Sequence, residues 1–303
     1  MEKKKIVILG SCNTDLVIKV RHFPLPGETI IGSDFMTNQG GKGANQAVSV
    51  ARMGGQALFI AKVGNDSFGK NSIAAMNEEG IDTRFCFVTD KAPTGVAMID
   101  VDDKGENCII VASGANALLS IEDVELARKE IESASILLMQ LETPIPTLMY
   151  AAEMAHEAGV TVVLNPAPFP KDALPKEFLK NVDIITPNET EAEAMSGVHV
   201  SDETAALQAI EAIQKLGVSK VVITAGSAGA YTVVNGKAVC VPTYKTKVVD
   251  TTAAGDTFCG ALCVSLSEEK DITSSIAFAN KAASISVTRM GAWRSIPHRE
   301  ELN

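Results

Sequence analysis

The pattern of apolar and polar positions along this chain of 303 residues alternates between the repeat of strands and the repeat of helices. Continuous apolar runs, which are typical of strands buried on both faces, occupy residues 5–9, 57–63, 136–140, 160–164, 184–185 and 221–224. Apolar positions recur at helical spacing in residues 44–53, 121–131, 147–158, 189–195, 204–216 and 257–266. This order predicts an α/β fold with a mostly parallel central sheet, a Rossmann-type core and helices on both faces.

Two pairs of segments break this alternation. Residues 16–20 and 28–32 are predicted strands around a turn-rich linker, and residues 95–101 and 107–111 are predicted to form a hairpin. Together they predict a small β-sheet lid, built discontinuously from about residues 14–37 and 93–113 of a single domain spanning residues 1–303. Such a lid would exclude water from a site at the carboxyl ends of the core strands. A further hairpin is predicted at Asn235–Gly236, between residues 231–234 and 237–241.

Composition and charge narrow the class of protein. The chain is 46% hydrophobic and 21% charged, which is enough to bury a large core. Its net charge of −10 argues against nucleic acid or an anionic membrane as the main partner, although ATP needs only a local positive field and Mg²⁺. The six cysteines lack metal or disulfide spacing, and the apolar run after the basic start at residues 1–5 is too short for a signal peptide. We therefore expect a cytoplasmic protein.

The segment of residues 250–256 carries the most informative chemistry. It lies between Val248–Val249, the predicted end of a strand, and the predicted helix at 257–266. Small residues before a helix leave its first N–H groups free to bind a phosphate or a developing anion. An aspartate at each end, Asp250 and Asp256, then suggests a metal ion and a proton acceptor, as phosphoryl transfer requires. The alternative is an aspartate that only caps the helix.

Two glycine-rich segments indicate different kinds of site. Residues 64–71 approach the P-loop pattern, but Asn71 replaces the metal-binding serine or threonine and Asp66 would repel phosphates, so we reject this interpretation. The chain has no G-x-G-x-x-G segment, so a nicotinamide-dependent oxidoreductase is not favoured. Residues 38–46 combine glycines with amide and amine side chains at a helix start, which suits a ligand rich in hydroxyl groups. The alternative is a plain glycine turn.

Taken together, these segments resemble the ribokinase-like family of carbohydrate kinases over nearly the whole chain. Each block is a weak signal alone, but their presence in the family's order is specific. The blocks are residues 10–15, 40–45, 139–142, 165–168, 186–191, 224–229, 250–256 and 291–295. The resemblance implies transfer of the γ-phosphoryl group of ATP to a small sugar, most closely to the 5-hydroxyl of D-ribose, with Mg²⁺ and a monovalent cation such as K⁺.

The resemblance also implies roles for individual residues. Asp256 would accept the proton of the sugar hydroxyl, and the backbone N–H groups of Ala253, Ala254, Gly255 and Asp256 would form an anion hole. Many relatives carry glycine where this chain has Ala253. The residues implied to bind the sugar are Asn13, Thr14, Asp15, Gly41, Lys42, Gly43, Ala44, Asn45 and Glu142.

The resemblance also implies one set of residues that binds the nucleotide and another that binds metal ions. The nucleotide would be bound by Asn188, Thr224, Ala225, Gly226, Ser227, Ala228, Gly229, Gly255 and Asn280. The metal ions would involve Glu191, near Mg²⁺ and the phosphates, and, for the monovalent cation, Asp250, Thr252, Ser286, Arg289, Gly291 and Ser295. By pattern alone, an acidic helix N-terminus is the favoured interpretation of residues 188–191, and Asp250 could equally be a cap.

Assembly and alternative functions complete the sequence-based hypotheses. A small sheet with open edges is marginal alone, so we expect a homodimer that pairs the lids. The alternatives to a ribose kinase are a kinase for another sugar or a nucleoside, and a non-catalytic sugar-binding regulator. Asp256 and the small-residue loop argue against the regulator, because binding alone needs neither.

Overall fold

The computed structural model describes residues 4–303; most of the basic start, residues 1–3, lies outside the described residues. In chain order the strands are β1 Lys5–Leu9, β2 Asn13–Lys19, β3 Phe35–Gly40, β4 Gln56–Gly64, β5 Asp82–Thr89, β6 Gly95–Val101, β7 Asn107–Ala112, β8 Ile136–Met139, β9 Thr161–Leu164, β10 Ile184–Ile185, β11 Lys220–Val221, β12 Ile223–Thr224, β13 Ala230–Val234 and β14 Lys237–Val241. The helices are α1 Lys42–Arg52, α2 Ser67–Glu78, α3 Ile121–Leu126, α4 Arg128–Glu132, α5 Ile145–Glu157, α6 Lys176–Leu179, α7 Glu189–Ser196, α8 Glu203–Gln214, α9 Ala254–Ser267 and α10 Ile272–Ser286.

The central sheet has the order β11-β10-β9-β8-β1-β4-β5, and its paired strands are parallel. In β1, Ile6 and Ile8 join one apolar cluster, which includes residues of α1, α9 and α10, while Val7 and Leu9 join a second cluster, which includes residues of α5, α6 and α8. Because alternate side chains of a strand point to opposite faces, a strand covered on both faces must be apolar throughout. The predicted α/β fold with a parallel sheet is confirmed.

A separate four-stranded sheet has the order β3-β2-β6-β7, in which β2 and β6 are parallel and the other pairs antiparallel. The predicted strand at residues 28–32 is wrong. Residues 28–32 lie outside regular structure, and Glu28 closes a turn by accepting a hydrogen bond from the backbone N–H of Leu25 (2.9 Å). β2 instead pairs with β3 and β6, and β3 gives no apolar alternation because its polar residues Thr37, Asn38 and Gln39 are consecutive.

Other boundaries also differ from the predictions. Val248 and Val249 are exposed and lie in a loop, not in a strand, and the N–H of Val249 donates to the carbonyl of Val287 (2.7 Å). The predicted helix at 121–131 is divided at Ala127 into α3 and α4, and the predicted strand at 221–224 is divided between two sheets. The hairpin at Asn235–Gly236 is confirmed as β13–β14.

The near P-loop segment has a structural role. Asp66 is the N-cap of α2 and accepts a hydrogen bond from the backbone N–H of Gly69 (2.9 Å), so its carboxylate occupies the position where a P-loop would bind phosphate. Sequence analysis missed both α2 and β5, which follow this segment. None of the helices within residues 4–303 combines the length and the apolar character that a membrane crossing requires.

Candidate active site

Four strands of the central sheet end beside the same cleft. The segments that follow β1, β8, β9 and β10 carry, respectively, Ser11 and Asn13, Gln140 and Glu142, Asn165, and Thr186 and Asn188. The carboxyl ends of parallel strands lie at one edge of a sheet, which is where ligands bind in open α/β folds. The small sheet begins at this edge, because β2 follows β1 after only three residues.

The start of α9 closes the cleft from the other side. Ala253 occupies the N-cap position with a left-handed backbone (φ 58°), and no side chain caps the helix. A left-handed conformation costs an alanine about 1 kcal/mol, whereas glycine adopts it freely. Within residues 4–303 the N–H groups of Gly255 and Asp256 have no acceptor, so they can bind an anion. Because Ala253 is the N-cap, Asp256 is not a simple cap.

Two amides of α1 hold the buried carboxylate of Asp256. Asn45 Nδ2 donates to Asp256 Oδ2 (2.8 Å) and Gln46 Nε2 donates to Asp256 Oδ1 (3.0 Å). Helix α1 can approach α9 this closely because Gly260 has no side chain; a Cβ there would lie 2.4 Å from Ser49 Cβ. The structure therefore brings Asn45 and Asp256 together as the sequence predicted, and adds Gln46, which the same glycine-rich motif contained.

The sugar-side residues surround a second part of the cleft. Glu142 Oε2 accepts hydrogen bonds from Ser11 Oγ (2.5 Å) and from the backbone N–H of Lys42 (3.0 Å). Asn13 Oδ1 accepts one from Asn116 Nδ2 (2.7 Å), a residue that sequence analysis missed because no motif surrounds it. Asn13 and Glu142 line a cavity of about 380 Å³ that also includes Asn116, Val111 and Ser113, so the small sheet contributes to its wall.

Asp15 on β2 is placed against the first glycine of the glycine-rich motif. A Cβ at Gly40 would lie 2.3 Å from both carboxylate oxygens of Asp15, so only glycine allows this approach. Burial, followed by the charges of Glu142 and Asp256, raises the pKa of Asp15 to about 7. Among the other predicted sugar residues, Thr14 is buried with an unpartnered Oγ1, and Gly41 precedes α1 with φ 88°.

The charges of the cleft are coupled to one another. Burial disfavours the ammonium group of Lys42, but the carboxylates of Asp256, Glu142 and Glu191 outweigh it and raise the pKa of Lys42. Burial also raises the pKa of Glu191, although its hydrogen bond from Asn188 and the charge of Lys42 oppose the shift. Lys42 therefore remains a cation amid a set of carboxylates, which suits a ligand that brings further negative charge and its own counterion.

A polar cavity of about 190 Å³ adjoins Asp256. It brings together eight predicted residues from the sugar, nucleotide, anion and metal sets: Lys42, Asn188, Glu191, Thr224, Ala253, Ala254, Gly255 and Asp256. Its other lining residues were not predicted as site residues: Asn165, Ala167, Thr186, Thr251 and Cys259. Asn165, Ala167 and Thr186 follow core strands inside the blocks of family resemblance, so position at a strand end was the signal that could have identified them.

Asn188 and Glu191 cap each other at the start of α7. Asn188 Oδ1 accepts from the Glu191 N–H (2.8 Å), and Glu191 Oε2 accepts from the Asn188 N–H (2.9 Å). The helix-terminus interpretation therefore holds for these contacts, while both residues still line the cavity. Mg²⁺ commonly uses one or two carboxylates together with substrate phosphates, so Glu191 beside this cavity fits a nucleotide-bound Mg²⁺. Within residues 4–303, no group of three or more His, Cys, Asp or Glu could hold a metal alone.

The predicted nucleotide residues are spread beyond this cavity. Gly226–Ala228 form an exposed 3-10 turn after β12, and Gly229 cannot carry a Cβ, which would lie 2.1 Å from the carbonyl of Val241. Asn280 is buried and does not line the cavity; its Nδ2 donates to the Val241 carbonyl (2.8 Å). Asn280 therefore fixes the strand end beside the turn. Three further predicted nucleotide-binding residues lie in this turn or directly before it: Ala225, Ser227 and Ala228.

The residues predicted to bind a monovalent cation are partly brought together. Asp250 Oδ1 accepts from the N–H and Oγ1 of Thr252 (2.9 and 2.7 Å), and Asp250 Oδ2 accepts from the Gly291 N–H (2.8 Å). Ser286 and Ser295 donate to carbonyls one turn earlier, and the guanidinium of Arg289 pairs with Glu301. Asp250 thus links the loop before α9 to the segment after α10. Because the side chains of Asp250, Ser286 and Ser295 already form hydrogen bonds, backbone carbonyls are the oxygens that remain available to an ion.

Comparison with known proteins agrees with this arrangement. Residues 3–299 match the family described as pfkB family carbohydrate kinase. The chain is 45% identical to a ribokinase of Haemophilus influenzae, over 99% of this chain and 97% of that protein, and 42% identical to a ribokinase of Staphylococcus aureus, over 99% and 98%. A solved structure of Arabidopsis thaliana ribokinase complexed with ribose and ATP superposes with a TM-score of 0.91 at 33% identity, over 100% of this chain and 98% of that one. The chain belongs to the pfkB family of carbohydrate kinases.

Proposed function

We propose that this protein transfers the γ-phosphoryl group of ATP to the 5-hydroxyl of D-ribose, giving D-ribose 5-phosphate and ADP. The observation that carries the proposal is the position of Asp256. Its carboxylate is held by two amides between a polar cavity and a sugar-sized cleft, at a helix start with open N–H groups. The names of the most similar relatives support ribose as the acceptor.

The reaction follows from the chemistry of these groups. Asp256 accepts the proton of the attacking hydroxyl, while the N–H groups at the start of α9 and the ammonium of Lys42 stabilise the charge on the transferred group. Mg²⁺, held by the phosphates beside Glu191, would supply further charge neutralisation. The positioning of the hydroxyl between base and phosphoryl group accounts for a large part of the rate enhancement in such reactions.

The sugar cleft favours a compact polyol over a nucleoside. Its candidate groups are charged or amide side chains, among them Asn13, Asp15, Lys42, Asn45 and Glu142, and the chain is only 5% aromatic. A nucleoside base gains affinity by stacking on an aromatic side chain. We therefore infer that ribose, not adenosine, is the best acceptor.

A coupled ADP-release assay tests this function directly. The purified protein would be assayed with ATP and Mg²⁺ against ribose, 2-deoxyribose, fructose and adenosine. We expect ribose to give the highest kcat/KM and adenosine to be a poor acceptor. A higher kcat/KM for adenosine would assign a nucleoside kinase, and sugar binding by calorimetry without ADP release would favour a non-catalytic regulator.

We further propose that residues 1–303 form one α/β domain and that the four-stranded sheet is its lid. Val111 and Ser113 of this sheet and its following loop already line the sugar cavity. A lid that covers the sugar excludes water, which would otherwise compete as the phosphoryl acceptor. A cytoplasmic location belongs to the same proposal, since the six cysteines are free thiols.

The outer face of the lid supports a homodimer. By the strand register, Met98 lies opposite Ile110, on the face away from Asp15 and Val111. Met98 is 58% exposed and Ile110 is 65% exposed, and Phe35 on the same face is 65% exposed. A surface of this kind on a small sheet marks an interaction site, and a symmetric dimer would cover it.

We expect the paired substitution Met98→Lys with Ile110→Lys to convert a dimer into a monomer, because two buried ammonium groups would oppose association. Sedimentation velocity at micromolar concentration measures the change. The matched control is Val88→Lys, which adds a charge at an equally exposed apolar residue of β5 outside the lid and should leave the dimer intact. A fully active wild-type monomer would contradict the proposal.

We also propose that K⁺ binds beside the start of α9, between Asp250 and the loop containing Gly291. The link from Asp250 to Gly291 supports this position, and the positive φ of Gly291 (85°) allows carbonyls to turn towards an ion. An ion there would order the loop whose N–H groups contact the phosphoryl group. Its effect should therefore appear in kcat more than in the KM for the sugar.

We expect K⁺ to increase kcat several-fold over Na⁺ at fixed ionic strength, and Asp250→Ala to abolish this difference. Steady-state rates in K⁺, Na⁺ and a large organic cation measure the effect, with thermal unfolding as the control for lost stability. If Asp250 only organises the turn, the variant would be less stable but would keep its response to K⁺. Equal wild-type rates in all three cations would rule out the site.

A further inference from the structure

A buried network of side-chain amides lies behind Asp256, and two of its members, Gln46 and Gln140, lie outside both cavities. Gln46 is fully buried, and its carboxamide is completely engaged. Its Nε2 donates to Asp256 Oδ1 (3.0 Å) and to Asn165 Oδ1 (3.2 Å), and its Oε1 accepts from Gln140 Nε2 (2.6 Å). Gln46 and Gln140 do not line either cavity, so neither is a candidate to contact substrate.

The network admits only one orientation of the Gln46 amide. Asn165 is itself oriented, because its Nδ2 donates to the carbonyl of Thr186 (2.9 Å), so its Oδ1 must face Gln46. A reversed Gln46 would place its oxygen against two acceptors, Asn165 Oδ1 and the Asp256 carboxylate, and its NH₂ group against the NH₂ of Gln140. Asn165 Oδ1 and the Asp256 carboxylate therefore fix the orientation of the Gln46 amide, and Gln140 Nε2 completes its hydrogen bonding by donating to Oε1.

The backbone around β1 makes room for this network. A Cβ at Gly10 would lie 2.0 Å from Gln140 Oε1, so glycine at the end of β1 is needed for Gln140 to reach Gln46. Gln140 Oε1 has no hydrogen-bond partner within the described residues, which is a cost that a purely structural core would avoid by an apolar side chain. The network therefore contains one unpaired buried acceptor, Gln140 Oε1, which an apolar side chain at this position would not create.

We propose that Gln46, held by Gln140 and Asn165, is a positioning residue that holds the Asp256 carboxylate in its reactive orientation. Asn45 Nδ2 holds the other oxygen of the same carboxylate, so the two amides fix its plane. A general base must be held within reach of the proton that it accepts, and the fixed plane meets this need. The inference rests on the proposed role of Asp256 as the base.

The test is Gln46→Met, which keeps the length and volume of the side chain and removes the N–H donor. We expect kcat to fall about ten-fold, as for loss of one hydrogen bond to a charged group, with KM for sugar and ATP within about two-fold. The kcat–pH profile and KM of each variant are measured beside kcat, because a loss confined to kcat with unaltered KM would not follow from a general loss of structure. The charged groups facing Asp256 are Lys42 on α1, Asp15 on β2 and Glu191 on α7, and Gln46 bonds to none of them within the described residues.

Ser49→Ala is the matched control. Ser49 lies on α1, is fully buried, and joins α1 to α9 through one hydrogen bond from its Oγ to the Thr257 carbonyl (2.9 Å) without touching Asp256. It should leave kcat and the pH profile unchanged. An equal loss of kcat in Ser49→Ala, or a folded Gln46→Met with wild-type kcat and pH profile, would overturn the proposal.

Gln140→Met provides a second test that does not depend on the folding of Gln46→Met. It removes the donor to Gln46 Oε1 and leaves that oxygen without its partner, so the Gln46 side chain is held less firmly and we expect a several-fold loss of kcat. Combined with Gln46→Met it should cause no further loss, because both act through one hydrogen bond. All rates are measured with whichever acceptor the wild type phosphorylates, so a wrong sugar assignment would show in the wild-type rates alone. Wild-type kcat in Gln140→Met would overturn the role of the network. Additive losses of kcat in the double variant would overturn it as well.

Discussion

Asp256→Asn should lower kcat by about 100-fold or more, because general bases typically contribute about 10²–10⁴-fold. The substitution keeps the size of the side chain and removes its ability to accept a proton. It also sets an NH₂ group against the amides of Asn45 and Gln46, which now donate to the carboxylate. Steady-state rates at saturating ribose and ATP measure the loss.

Binding separates this chemical role from a structural one. Asp256 lies beside the anion hole at the start of α9, so ribose affinity measured by calorimetry should change by only a small factor in Asp256→Asn. Thermal unfolding of the variant controls for damage to the contact between α1 and α9. A variant that turns over near the wild-type rate would remove Asp256 from the catalytic role.

Asp15→Ala should reduce kcat/KM for ribose by roughly 100-fold, with most of the effect in KM. We expect sugar hydroxyls to donate to this carboxylate, and hydrogen bonds to a charged group contribute about 1.5–3 kcal/mol each. Gly40, the residue in closest contact with the Asp15 carboxylate, has no side chain that could replace the lost hydrogen bonds to the sugar. An unchanged KM for ribose would show that the sugar does not contact Asp15.

The raised pKa of Asp15 adds a pH signature to this prediction. Since the free protein has this pKa at about 7, Asp15 is largely protonated below that pH, whereas donation by sugar hydroxyls favours the anion. Ribose binding should therefore release a proton below pH 7, and affinity should increase as pH rises to 7 and level off above it. Calorimetry in buffers of different ionisation enthalpy measures the release, and Asp15→Asn should abolish it.

The central sheet was predictable from sequence because its strands are buried on both faces. Such strands produce unbroken apolar runs, as in β1, β8 and β9, and these bring the following polar residues to one edge. That rule, with the glycine-rich motif and the loop of residues 250–256, sufficed to assemble Asn45, Lys42 and Asp256 in one cleft. Several residues of the site thus followed from local pattern and sheet geometry.

The strand, the site residue and the loop that were not predicted correctly depend on contacts between elements that are distant in the sequence. β3 carries three consecutive polar residues, Thr37, Asn38 and Gln39, so it shows no apolar alternation, and residues 28–32, which contain Ile30 and Ile31, were preferred. Asn116 reaches Asn13 across more than a hundred residues, and no local pattern predicts such a pair. The loop at Val248–Val249 resembles a strand in composition, but no neighbouring strand is available to pair with it.

The hydrogen bond between Asn45 and Asp256 joins residues 211 positions apart. A ribosome that adds about 5–20 residues per second needs roughly 10–40 seconds to pass from one to the other. During that interval Asn45 and Gln46 have been made while the carboxylate that will accept their N–H groups does not yet exist. These amides can hold the Asp256 carboxylate only when α9 packs against α1, late in synthesis, so a chain interrupted just before residue 256 contains every strand of the central sheet but lacks this carboxylate.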